Sequence, residues 1–157
     1  MTGYYGITDA VRKAFNKTGR VSTITHGDLS MVDLGRQSIY PLVHVSPAGA
    51  SFDTNTTNYS FTISCMDLID FSKEHEDDGG EPFYGNDNVQ DILHDISLTI
   101  ELALDDLRRG DLWTEMYRIG DAVSGTSFVS EGENNLAGWS IQVNVTTTNA
   151  AVNDGLC

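Results

Sequence analysis

The sequence is poor in the features that commit a chain to a disulfide scaffold, a membrane or a polyanion. Only two cysteines stand among its 157 residues, too few for a disulfide framework to carry the fold. Cys65 falls inside an apolar alternation and reads as a small buried hydrophobe, while Cys157 is the last residue. A bond between the two is open, but the fold does not depend on it. Apolar residues never run unbroken for the roughly eighteen positions that a membrane-spanning helix needs. The opening MTGYYGITDAVRKAF has neither the apolar core nor the cleavage-type site of a secretory signal. The N-x-S/T matches at Asn16, Asn55, Asn58 and Asn144 are therefore read as accidental, since glycosylation needs a secretory route.

Basic residues are scarce. Nine Lys and Arg face 23 Asp and Glu, a net charge of −14, which disfavours nucleic acid and anionic membrane as partners. The imbalance is uneven: residues 1–60 hold five bases and four acids, residues 61–157 four bases and nineteen acids. Arg12, Lys13, Lys17 and Arg20 cluster near the N-terminus with Asp9 as the one acid among them. Solubility is the plain explanation of the acidity. The sharper one is that the basic end of one copy meets the acidic half of another.

Signatures of chemistry are missing as well. There is no nucleophile elbow, no phosphate-cradling glycine loop and no Cys/His set at zinc spacing. Of the four histidines (His26, His44, His75 and His94), His94 lies on a helical stretch beside Asp91 and Asp95 and reads as a solvated surface residue. The run 74–81, EHEDDGGE, could hold a hard cation, yet it lacks the Asp/Asn ladder and closing Glu of a calcium loop. Acid pairs such as Asp67/Asp70 and Asp105/Asp106 arise by chance in so acidic a chain. No enzyme activity, cofactor or metal is expected; a small hydrolase using paired carboxylates with a metal from the 74–81 loop is the third-ranked alternative.

What is present is a strong helical period. In the stretch 86–110, Val89, Ile92, Leu93, Ile96, Ile100, Ala103, Leu104 and Leu107 recur at three- and four-residue steps. Asp87 with Gln90 gives a capping-box start, Arg108 and Arg109 suit the last turn, and Gly110 the left-handed cap. Leu98 and Leu102 fall off the stripe and offer either a broader core or a second contact surface. Two alternating stretches, Tyr59–Cys65 and Trp139–Val145, give a sheet with one covered face. Trp139 and Trp113 are expected to be core or interface anchors.

Ile7, Ala10, Val11, Ala14 and Phe15 predict a short N-terminal helix, capped by Thr8 or Asp9 and ended by Gly19. Strands are expected over 21–25 and 38–45, the latter edge-placed or bulged because of Pro41. Residues 46–58, SPAGASFDTNTTN, read as a long hairpin loop, and residues 73–88 as an acidic, glycine-rich one. A helix or irregular packing segment is expected within 111–122, and strands over 126–130 and 136–147. The fold class is α+β: one domain, 1–157, with a mostly antiparallel sheet packed on one long central helix, a short N-terminal helix and a long hairpin loop.

In this order of elements, and in the closing segment 134–145, NNLAGWSIQVNV, the sequence resembles the tail-terminator and tail-completion proteins of tailed phages. The resemblance implies a non-catalytic virion protein, assembled in the host cytoplasm into a cyclic homo-oligomer at the neck or tail top. Portal, connector or tail proteins would be its neighbours, and DNA would pass through the lumen without sequence-specific binding. It further implies head-to-tail interfaces, with Arg12, Lys13, Lys17 and Arg20 of one copy facing Asp91, Asp95, Asp105 and Asp106 of the next, and Leu98 and Leu102 as added contacts. The family brings no catalytic residues. The competing reading is a non-viral adaptor or ligand-binding domain without catalysis.

Overall fold

The computed structural model describes residues 3–29, 32, 34, 37–70, 87–109, 117–120, 122–130 and 135–148. The expected loops at 73–88 (apart from its last two residues) and 74–81, the segment 111–116 with Trp113, and the residues beyond 148 lie outside them. The architecture is α+β, with a mostly antiparallel sheet and two helices.

Helix α1 spans Gly3–Lys17 and buries Gly6, Ile7, Val11, Ala14 and Phe15. It begins a turn earlier than the sequence suggests, so Thr8 lies inside it and bonds back to the Tyr4 carbonyl (3.1 Å) instead of capping. Gly19 closes it in the left-handed region, φ 69°, where a side chain would be strained.

Strand β1, Thr23–His26, runs parallel to β2, Leu42–Phe52. Between them a 3-10 turn covers Gln37–Ile39. Pro41 therefore precedes its strand rather than interrupting it. β2 turns back into β3, Thr56–Leu68, through Asp53, Thr54 and Asn55, and the pairing is continuous from Leu42↔Met66 to Phe52↔Thr57 apart from a bulge between Pro47 and Gly49. This corrects the expected long loop at 46–58: most of those residues are strand. Small polar residues make poor strands alone, but β3 gains a second ladder on its other side from β6, Leu136–Thr148, which pairs along its full length.

Helix α2, Val89–Arg109, follows. Its first backbone bond runs from Ile92 N–H to the Asn88 carbonyl (2.9 Å), which makes Asn88 the cap residue. Asp87, one residue earlier, accepts from the Val89 N–H at 3.1 Å. The expected cap at Asp87 is thus displaced by one residue, and the Asn88 side chain accepts from the Asp70 N–H (2.6 Å), tying the end of β3 to the start of the helix. The chain closes with β4 (Arg118–Ile119) and β5 (Gly125–Ser130), which share one edge of β6. The sheet order is β1-β2-β3-β6-β4, with β5 also on β6.

Alternation sorts the two sheet faces. Val43, Val45, Phe61, Ile63, Cys65, Ile141, Val143 and Val145 turn to the helices and form one core with Ile7, Val11, Phe15, Ile92, Ile96, Ile100, Ala103, Leu104 and Leu107. A sheet on one helix is therefore not the arrangement: α1 and α2 lie side by side over it, and α1 contributes some of the most deeply buried side chains. Trp139 packs against this core and donates from Nε1 to the Leu93 carbonyl (2.9 Å), as an anchor should. A smaller cluster of Tyr40, Leu42, Met66 and Leu136 covers one end of the opposite face. Gly138 sits at that end. A Cβ there would come within 1.9 Å of the Cys65 carbonyl oxygen, so the strands approach too closely for any other residue.

Candidate interaction surface

The helix layer carries the charges singled out in the sequence. Arg12 and Lys13 both reach Asp9 on their own helix (2.6 and 3.0 Å), and together they hold its carboxyl below the usual range. Lys17 bridges from α1 to Asp106 on α2 at 3.4 Å, and Arg109 pairs with Asp105 at 3.2 Å. Five of the eight charged residues expected to pair between copies (Arg12, Lys13, Lys17, Asp105 and Asp106) thus have partners within their own chain, and such exposed pairs contribute little to stability. Asp91 is exposed on α2. Leu98 is half-buried, and Leu102 is 51% exposed, one of the few large apolar side chains left open among the described residues.

Arg20 and Asp95 stand elsewhere, lining a cavity of about 280 Å³ between the start of α2 and the sheet, with Asp67, Thr99, Cys65 and Met66. Burial, helped by the charge of Asp95, raises the carboxyl of Asp67, while a bond from the Leu68 N–H opposes it. The structure therefore brings Asp67 to Asp95, across 28 residues, a pairing that no sequence neighbourhood signals. Cys65 at the same place is sealed, its thiol pushed up to about 12 by burial, and so is inert as a nucleophile or ligand. No group of three or more metal-ligating side chains forms among the described residues.

A groove of about 500 Å³ lies between α1 and the edge strand β1, lined by Tyr4, Tyr5, Arg12, Ile24, His26 and neighbouring residues. The Tyr4 hydroxyl lies 2.5 Å from His26 Nε2, and its ring packs edge-on to His26 and Tyr59. His44, by contrast, is fully buried. Its Nε2 donates to the Gly27 carbonyl (2.9 Å), and its Nδ1 bonds with the Thr25 hydroxyl (2.6 Å). It is a strut that fixes the end of β1. His94 is exposed on α2, as expected of a surface residue.

The sheet presents a different surface. Its face away from the helices carries Asn58, Ser60, Thr62 and Ser64 from β3 beside Ser140, Gln142, Asn144 and Thr146 from β6. These groups bond across the strands: Ser60 Oγ donates to Asn144 Oδ1 (2.6 Å), Ser64 and Ser140 hydroxyls meet at 3.4 Å, and the Thr146 hydroxyl bonds to Asn58. Along β3 and β6 no charged side chain interrupts this face; Arg118 of β4, paired with Thr146, stands at its margin. Asp53 is the sole Asp, Glu, Lys or Arg between residues 38 and 66, and none occurs between 134 and 153. That gap was readable in the sequence as a charge map, but its meaning depends on β2, β3 and β6 being neighbours. The β2–β3 hairpin extends the neutral surface beyond β1, which covers only Leu42–Val45 of β2. Pro47–Phe52 are all exposed, and Phe52 at the tip is 76% open.

Neither models of known families nor curated proteins match this chain. No helix among the described residues is long and apolar enough to cross a membrane.

Proposed function

We propose that the chain is a structural virion subunit that assembles into a closed ring at the neck or tail top of a tailed phage, joining portal or connector to tail and carrying no catalysis. The observation that carries this reading is the segregation of charge. A net charge of −14 is concentrated away from a sheet end where, among the described residues of its strands and their turn, Asp53 and Arg118 are the ionised groups. An acidic copy can approach another only where like charges do not meet. A neutral, hydrogen-bonding sheet end beside a charged helix layer gives a subunit one surface for its own kind and another for water or for passing DNA. The resemblance in element order supports the phage setting. In purified material, negative-stain images should display rings of uniform diameter, and mass spectrometry of whole particles should find the chain in the virion. Lone subunits absent from particles would refute it.

A second reading, a non-catalytic adaptor or ligand-binding domain, is favoured by the groove at Tyr4, Tyr5, Arg12 and His26, which mixes aromatic faces with a cation. In that case the purified chain stays monomeric, and a groove variant such as Tyr4→Ala abolishes its binding function without touching assembly.

A further inference from the structure

Among the described residues the sheet ends in two strand edges without a partner strand, and we infer that they pair with each other between neighbouring copies, so that β5 of one subunit continues onto the Pro47–Phe52 edge of β2 in the next. This rests on the ring reading and names its interface.

Among the described residues, β2 is paired on its outer side only from Leu42 to Val45, and β5 only with β6. That leaves PAGASF on one edge and GTSFVS on the other, six residues each. Natural edge strands are usually guarded by charge, because an open row of N–H and C=O groups is a template for another strand. Neither of these contains a charged residue, and the proline and bulge at Pro47–Gly49 guard only the start of the first, leaving Ala50–Phe52 open. Each also carries one of the four large apolar side chains exposed among the described residues, Phe52 at 76% and Val129 at 48%.

The backbone bonds say which groups face outward. The Asp53 N–H to Thr56 carbonyl bond (2.9 Å) makes that pair a bonded one, so by antiparallel alternation Ala50 and Phe52 point their N–H and C=O away from β3. The Gln142 N–H to Ser124 carbonyl bond (3.2 Å) likewise turns Gly125, Ser127 and Val129 outward. Direction agrees too. β2, β3, β6 and β5 alternate, so a β2 placed beyond β5 in the same sheet runs antiparallel to it. β5 lies beside the Leu136–Ile141 end of β6 while the open part of β2 stands at the far end, so the joined sheet is staggered, as closing a sheet into a barrel requires. Two different edges meeting head to tail generate a closed ring when the rotation closes.

Ala50→Pro tests this with little harm to the subunit, since it removes an outward N–H that β3 does not use. The wild type is expected to give a discrete oligomer in native mass spectrometry, and Ala50→Pro a monomer with the wild-type circular dichroism and an association constant lower by roughly tenfold or more. Ser127→Pro should do the same from the other edge. If either proline variant misfolds, cross-linking in a Cys157→Ser background decides. Ala50→Cys and Ser127→Cys chains, mixed and treated with a short bismaleimide, should join to each other, while either alone should not. Ala50→Cys chains joining to themselves would mean a two-fold pairing and overturn the inference. Proline variants that assemble like wild type overturn it while leaving the ring reading intact, whereas a wild type that is monomeric removes both.

Discussion

The helix layer and the neutral sheet end are built from opposite materials and respond to opposite conditions. On the helices, Arg12, Lys13, Lys17 and Arg109 stand in water and already meet Asp9, Asp106 and Asp105. Such contacts weaken as salt shortens the Debye length to about 8–10 Å. At the sheet end, Ser60, Asn144, Asn58 and Thr146 bond through uncharged groups, and open backbone edges offer more of the same. Salt leaves those untouched and screens the mutual repulsion of acidic copies. An interface on the helices and one on the sheet edges are therefore distinguishable without seeing either.

The comparison can be sharpened by substitution. Phe61→Ala, in the core beneath the helices, should cost about 3–5 kcal/mol in urea unfolding, because a fully buried ring leaves a cavity. Gly138→Ala should cost roughly 1–3 kcal/mol or more, since the added methyl meets a neighbouring carbonyl rather than a movable side chain. Asn144→Ala, on the neutral face, should cost about 0.5–1.5 kcal/mol through the lost Ser60 bond. Lys17→Ala should cost less than about 1 kcal/mol, and that difference should vanish at high salt.

The two carboxylates with shifted titrations give pH effects of opposite sign. Burial raises the carboxyl of Asp67 above its ordinary value near 3.8. Just above that value the folded chain holds a proton that the unfolded chain has lost, so this group favours folding as pH falls through its folded pKa and opposes it at neutral pH. Asp67→Asn should therefore raise stability at neutral pH and remove that slope. Asp9 is lowered by Lys13 and Arg12, so its stabilisation is present above 3.8 and is lost as pH falls through its folded pKa. Asp9→Asn should shrink the acid loss. Melting temperatures across pH 3–7 check both.

Much of the fold was legible where one period governs a stretch. The stripe from Ile92 to Leu107, the alternation of β3 and β6 and the closing β5–β6 hairpin stand where the sequence places them. The 46–58 segment misled because Pro, Gly, Asn and Ser signal turns locally, while the ladder that holds those residues extended comes from β6, some 90 positions away. The site divides in the same manner. Arg12 and Lys13 reach Asp9 at the i,i+3 and i,i+4 spacings of any helix, but Lys17–Asp106 and Asp67 beside Asp95 exist only once the chain has folded.

The most direct measurement is sedimentation of the wild-type protein from low salt to about 0.5 M, a range over which charge–charge attraction between copies is screened away. A single closed oligomer that persists or tightens with salt is the expected result. An oligomer that dissolves as salt rises would place the contact on the helices, and a monomer at every concentration would contradict assembly altogether.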